Sequence, residues 1–183
     1  MTKAELRQRI LKVRKNLSPK EHNEWSKIIF DKIISLPEFQ ASQNLFIYVA
    51  YNNEAETKSL IEYALAVGKT VCVPRIKGAG HMIPIQIQNF LELKENRYGI
   101  LEPPDETGVM DKTSVDTAIV PGVVFDKSLN RIGFGGSYYD TFLKNTKIKK
   151  IALAFDFQIE DNIPFSEHDI KMDMIVTPSQ IIK

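Results

Sequence analysis

Pro121-Gly122-Val123-Val124-Phe125-Asp126-Lys127-Ser128-Leu129-Asn130-Arg131-Ile132-Gly133-Phe134-Gly135-Gly136-Ser137-Tyr138-Tyr139-Asp140 is the stretch on which the fold turns. The apolar run Ala118-Ile119-Val120 before it reads as a buried strand, and Tyr138 to Leu143 after it reads as the start of a short helix. Strand, glycine loop and helix in that order form an α/β unit. Glycines let backbone N–H groups turn inward and approach an anion closely. Arg131 adds a charge suited to phosphate, and Asp140 an oxygen ligand suited to a hard cation. The loop reads as a holder for a phosphate-bearing ligand and its metal. It is not a Walker A loop, because no Gly-Lys-Ser/Thr follows. Nor is it the dinucleotide fingerprint, because Tyr138 stands where the third glycine belongs.

Working outward, the same alternation recurs. Thr2 and Glu5 form a capping-box pair, and Leu6, Ile10, Val13 and Leu17 follow at helical spacing, predicting a first helix that ends before Ser18. Ser18, Pro19 and Glu21 open a second helix with an apolar stripe of Trp25, Ile28, Ile29, Ile33 and Leu36, stopped by Pro37. Strands are expected at Leu45–Ala50, Thr70–Val73, Met82–Gln88, Val115–Val120, Ile151–Phe155 and Met174–Val176. A further helix, capped by Thr57, runs to Val67 and ends at Gly68. Pro84 marks the Met82–Gln88 strand as an edge. Leu93–Gly108, with Pro103 and Pro104, reads as a loop. The pattern predicts one α/β domain over residues 1–183 with a mainly parallel sheet. Ligands in such sheets sit beyond the carboxyl ends of the strands. Ala50–Glu54, Pro74-Arg75, Pro121-Gly122 and Asp156 all follow expected strands and are expected to share one cleft.

The 183 residues are 43% hydrophobic and 26% charged, with a net charge of +1, so no bulk field draws the chain to nucleic acid or membrane. An anion site must therefore be local. Cys72 is the only cysteine, which excludes an internal disulfide and a thiolate metal cluster. No run approaches the ~20 apolar residues of a membrane span, and charges recur from Lys3 through Lys15, unlike a secretory signal. The expected location is the cytoplasm.

Several charged residues carry two readings. Lys3, Arg7 and Arg14 fall near one face of the first helix. The residues alone favour a solvated basic face, and packing beside the Gly133 loop would turn it into a phosphate clamp. Glu54 is equally a ligand for N–H groups at a strand end or an acid favoured by a helix dipole. Asp173, in Asp169-Ile-Lys-Met-Asp173, reads first as part of a surface turn and second as a metal carboxylate beside Asp140. Arg75, after Pro74 at a strand end, is a phosphate contact or a surface charge. His22, His81 and His168 show no metal-ligand spacing and read as structural or exposed.

Taken together, Lys3-Ala-Glu-Leu-Arg7, Tyr48-Val-Ala-Tyr-Asn-Asn-Glu54, Val73-Pro-Arg75, the Pro121–Asp140 block and Asp169–Asp173 give a chain that resembles the 5-formyltetrahydrofolate cyclo-ligase family over nearly its whole length. The resemblance implies a Rossmann-like three-layer α/β/α domain. It implies an enzyme that uses ATP and Mg²⁺ to convert 5-formyltetrahydrofolate, polyglutamylated or not, to 5,10-methenyltetrahydrofolate, with release of ADP and phosphate and most simply as a monomer. It also implies roles. Lys3 and Arg7 contact ATP, with Arg14 a further candidate from the same face. Arg131, Ile132, Gly133, Phe134, Gly135, Gly136, Ser137, Tyr138 and Tyr139 form the nucleotide loop. Asp140 and Asp173 hold Mg²⁺. Val49 and Glu54 line the folate site, and Phe134 and Tyr138 lie where the two sites meet. Arg131, Tyr138 and Arg75 are the catalytic candidates. One departure stands out: the family pattern has glycine where this chain has Ser137, so a positive φ there would strain the backbone. A relative that binds folate or nucleotide without turnover is the competing reading.

Overall fold

In the computed structural model, which describes residues 1–183, five helices and twelve strands follow one another along the chain. The helices are α1 (Lys3–Lys15), α2 (Pro19–Ser35), α3 (Pro37–Ala41), α4 (Lys58–Ala66) and α5 (Tyr138–Leu143). The main sheet holds β1 (Asn44–Ile47), β2 (Thr70–Gly78), β3 (His81–Ile87), β6 (Thr117–Val120), β9 (Lys149–Leu153), β11 (Met174–Val176) and β12 (Ile181–Ile182), in the order β12-β11-β9-β6-β1-β2-β3. Its five inner strands are parallel, and the two edges, β3 and β12, are antiparallel. Two short strands, β4 (Lys94–Glu95) and β5 (Leu101–Glu102), pair within the expected loop. A small second sheet joins β7 (Val124–Asp126), β8 (Arg131–Ile132) and β10 (Ile159–Glu160).

Strand periodicity of two puts alternate residues on opposite faces, and the sheet uses both. Leu45, Ile47, Val71, Val73, Ile119, Ile151 and Leu153 face a core closed by Ile29 and Ile33 of α2, Phe39 of α3 and Leu60 and Ile61 of α4. Phe46, Cys72, Ala118, Val120, Ala152 and Ile175 face a second core closed by Phe142 and Leu143 of α5. This is the expected three-layer arrangement, with one layer rich in helix and the other thin. A third, smaller core joins Leu6 and Ile10 of α1 to Val123, Val124, Ile132 and Ile163.

Both capping boxes form, Thr2 with Glu5 and Ser18 with Glu21. Thr57 precedes α4 but does not cap it. Its hydroxyl donates to the Tyr48 carbonyl at 2.7 Å and accepts from Ala50 N–H at 3.0 Å, and the Glu56 carboxylate takes the first α4 amides instead. Val13 and Ile28, expected on apolar stripes, are exposed, and Trp25 is half-buried against Phe155 and Phe157. β2 does not stop at Val73; it runs to Gly78 and folds back as β3, with Pro74 opposite Pro84. Arg75 is therefore mid-strand. On its outer side β3 is bonded by Gly108–Met110: Gln86 donates to the Gly108 carbonyl and Met110 to the Pro84 carbonyl, each at 2.9 Å. No helix is long and apolar enough to cross a membrane.

The β7–β8 hairpin inside the Pro121–Asp140 block was not expected. Asp126 organises it from a buried position. Its carboxylate accepts from the amides of Ser128 (2.9 Å), Asn130 (3.0 Å) and Ile163 (3.2 Å) and from the Asn130 side chain (2.8 Å). Turning the chain back at Leu129, φ 67°, delivers Arg131 to the end of β6.

Candidate active site

Two clefts flank the Gly133 loop. The first lies beyond the carboxyl end of β1 and is lined by Val49, Tyr51 and Glu54, by His22 of α2, and by Phe90 and Leu101. The second is wholly polar and is lined by Ser137, Asp140, Thr141, Lys144, Ser166, His168 and Asp169.

α1 connects them. At its start, the Lys3 ammonium pairs with Asp169 in the polar cleft. One turn on, Arg7 Nε donates to the Gly133 carbonyl at 2.8 Å. Two turns further, Arg14 is buried, with 1% of its surface exposed. Its guanidinium lies 4.0 Å from the Glu54 carboxylate and 5.2 Å from the centre of the Phe134 ring. The basic face favoured by sequence as solvated is thus packed against the glycine loop. The physical reason is tertiary: a carbonyl and two carboxylates from distant segments meet it.

Glu54 is equally enclosed. Its carboxylate accepts from Tyr51 N–H at 3.0 Å. Burial pushes its pKa up to about 7, opposed by the Arg14 charge and the Tyr51 hydrogen bond. Val49 stands beside it as expected. His22, read from sequence as structural or exposed, lines the same cleft and bonds the Glu54 carbonyl through Nε2 at 2.7 Å.

The loop itself is open. Phe134 is half exposed. At Gly135, φ +104°, the backbone takes a conformation that side-chain-bearing residues rarely adopt. A Cβ on Gly133 would sit 2.7 Å from Arg131 Nη1, so only glycine lets the guanidinium fold beneath the loop. Ser137 does have φ 55° and ψ 15°, the left-handed region. Ile132 is buried in the small core, and Tyr139 packs under the loop between Phe46 and the Arg131 guanidinium. Their side chains brace the loop and do not face either cleft. Tyr138 leans over Gly136.

Arg131 is nearly buried. Its Nη2 donates to Asp140 at 2.8 Å and its Nη1 to the Pro121 carbonyl at 3.3 Å. As placed, it positions Asp140. Arg75 bonds the Pro103 carbonyl and lies 3.7 Å from Glu102, so it secures β5.

The two expected metal carboxylates do not come together. Asp173 precedes β11, at the amino ends of the parallel strands, and accepts from the Lys150 amide and ammonium at 2.7 and 2.8 Å. Asp169, four residues earlier, is the acid that shares the polar cleft with Asp140. Burial raises the Asp169 pKa, but Lys3 and the Ser166 amide and hydroxyl outweigh it and hold the carboxyl below its ordinary value. No group of three or more His, Cys, Asp or Glu gathers anywhere. Two carboxylates among hydroxyls fit Mg²⁺, which is commonly held by one or two carboxylates with water and phosphate oxygens.

The model of the 5-formyltetrahydrofolate cyclo-ligase family matches residues 1–178. The chain belongs to the 5-formyltetrahydrofolate cyclo-ligase family. The cyclo-ligase of Escherichia coli K12 is 30% identical over 92% of this chain and 96% of its own length. A probable cyclo-ligase of Schizosaccharomyces pombe is 32% identical over 85% and 84%. The solved 5,10-methenyltetrahydrofolate synthetase of Aquifex aeolicus superposes with a TM-score of 0.88 at 32% identity, covering 99% of this chain and 92% of that one. Within this cyclo-ligase, sequence reading missed Asp169 and His22 as cleft residues and Arg14 as the partner of Glu54. Asp169 stood inside the quoted C-terminal motif, and it is this acid of the motif, not Asp173, that lines the cleft with Asp140.

Proposed function

We propose that the enzyme couples ATP cleavage to closure of the 5-formyltetrahydrofolate ring, with the two clefts as its two substrate sites. The observation that carries this reading is the shared cation: Arg14 touches both Glu54, in the first cleft, and Phe134, on the loop bordering the second. A folate at Glu54 and a nucleotide on the loop would then meet near Phe134.

Glu54 is an acceptor for the N–H groups of the pterin edge, and Val49 and Phe90 offer apolar walls to its rings. Phosphates lie along the Gly133–Ser137 backbone, with Lys3 and Arg7 as counter-charges. Asp140 and Asp169 would hold Mg²⁺, which would supply neutralisation of the phosphate charge. Lys3, paired with Asp169, lies within reach of the same phosphates. The formyl oxygen attacks the γ-phosphorus and ADP departs, leaving an imino-phosphate. N10 then attacks the formyl carbon, forming the new C–N bond. The C–O bond to phosphate breaks, phosphate leaves, and N10 loses its proton. The protein's task is alignment and charge neutralisation, and no side chain is needed as a strong base.

Purified protein mixed with 5-formyltetrahydrofolate, Mg²⁺ and ATP should develop the methenyl-folate absorbance only in the complete mixture. Folate binding without turnover would instead favour the binding-protein reading and point to Ser137.

A further inference from the structure

Arg14 and Asp126 are the least exposed charged residues of the chain, and the folate reading above gives Arg14 no contact with substrate or metal. Its surroundings are unusual. Nη1 lies 4.0 Å from Glu54 Oε1 and 3.5 Å from the Gly122 carbonyl. Nη2 is buried with no hydrogen-bond partner. The plane stands 5.2 Å from the Phe134 ring centre, and the Arg14 carbonyl accepts from the Asn53 side chain at 3.2 Å, tying α1 to the residue next to Glu54.

We propose that Arg14 is the positioning residue for Glu54: it supplies the buried counter-charge that keeps this carboxylate an acceptor and fixes where it points for the pterin edge. The inference rests on the folate assignment of the first cleft. The other titratable groups around Glu54 cannot replace Arg14. Tyr48, after β1, and Tyr139, on α5, are buried phenols held neutral by desolvation with Glu54 beside them. His22 of α2 bonds the Glu54 backbone, not its carboxylate, and Glu56 adds only negative charge near Tyr48. Lys58 of α4 lines the same cleft, but its ammonium lies 3.9 Å from Glu62. Arg14 alone opposes the burial of Glu54 with positive charge. Removing it favours a protonated, neutral Glu54 that presents an O–H where the pterin needs an acceptor.

The test is the pH dependence of 5-formyltetrahydrofolate binding, followed by fluorescence quenching without ATP, in wild type, Arg14→Lys and Arg14→Met. Wild-type affinity should rise with pH through an acid limb near neutrality. Arg14→Met should move that limb up by at least about one pH unit, a tenfold loss of affinity at a pH below both limbs' plateaus, whereas Arg14→Lys should move it by less than half as much. A limb that stays put in Arg14→Met, or moves equally in both variants, overturns the proposal whatever happens to stability. If Arg14→Met does not fold, adding Glu54→Gln to it should restore the melting transition, because no acid is then left to be buried charged or protonated at a cost; failure to restore it overturns the pairing. Absence of folate binding in wild type would instead refute the assignment of the cleft.

Discussion

Ser137 holds a left-handed backbone that costs a side-chain-bearing residue roughly 1–2 kcal/mol. Glycine would remove that strain and return part of the gain as chain entropy in the unfolded state, about 0.4–1 kcal/mol. Ser137→Gly should therefore raise the melting temperature by about 2 °C; an unchanged or lower value in calorimetry would mean that serine is relaxed there. Glu54 gives a signed pH effect. Its folded pKa of about 7 lies above the ordinary value of 4.5. Between those values the unfolded chain has lost the proton that the folded one retains, so stability falls as pH rises through this window, by on the order of 3 kcal/mol. Melting temperatures of Glu54→Gln should consequently fall less steeply from pH 5 to 7 than those of wild type, whatever the offset between the curves. The metal carboxylates are separable too. Asp169→Asn should raise the Mg²⁺ requirement at least tenfold, and Asp173→Asn should change it less than twofold, because Asp173 is occupied by Lys150 at the other end of the sheet. A Mg²⁺ titration of initial rates decides between them.

At the scale of elements, α1 acts as a rod along which charges are spaced by two turns, about 10 Å from Arg7 to Arg14. Arg7 braces the loop from outside through the Gly133 carbonyl. Arg7→Met should raise KM for ATP about tenfold and leave KM for folate within twofold; steady-state kinetics with each substrate varied would expose an equal loss in both, which would place Arg7 elsewhere. Elements of this kind were legible where their own residues fix them. The capping boxes, the short apolar runs of β6 and β11, and the bounds of α5 all follow from local pattern. The β7–β8 hairpin was hidden because Val123–Phe125 reads as a continuation of the run before Pro121, and its turn depends on Asp126, whose Ile163 partner lies 37 residues away. Arg14 was illegible for a similar reason. A charge at helical spacing reads as solvated until the distant carboxylate and ring that enclose it are known. The choice between Asp169 and Asp173 likewise depends on which strand end each one reaches.

For the whole molecule, the two clefts, joined through α1 and the glycine loop, predict mutual stabilisation by ligands. A non-hydrolysable ATP analogue with Mg²⁺ at about a hundred times its dissociation constant contributes roughly 2.7 kcal/mol, a rise of about 5–10 °C in melting temperature for a chain of this size. A thermal-shift series should show this rise in wild type and lose most of it in Asp169→Asn.

The borders of the main sheet have a consequence for association. On one side β12 is only two residues long. On the other, the backbone of β3 is interrupted by Pro84 and already satisfied by Gly108–Met110. Neither margin offers a long row of free amides and carbonyls for a second molecule to zip onto. Both borders therefore disfavour association by extension of the main sheet.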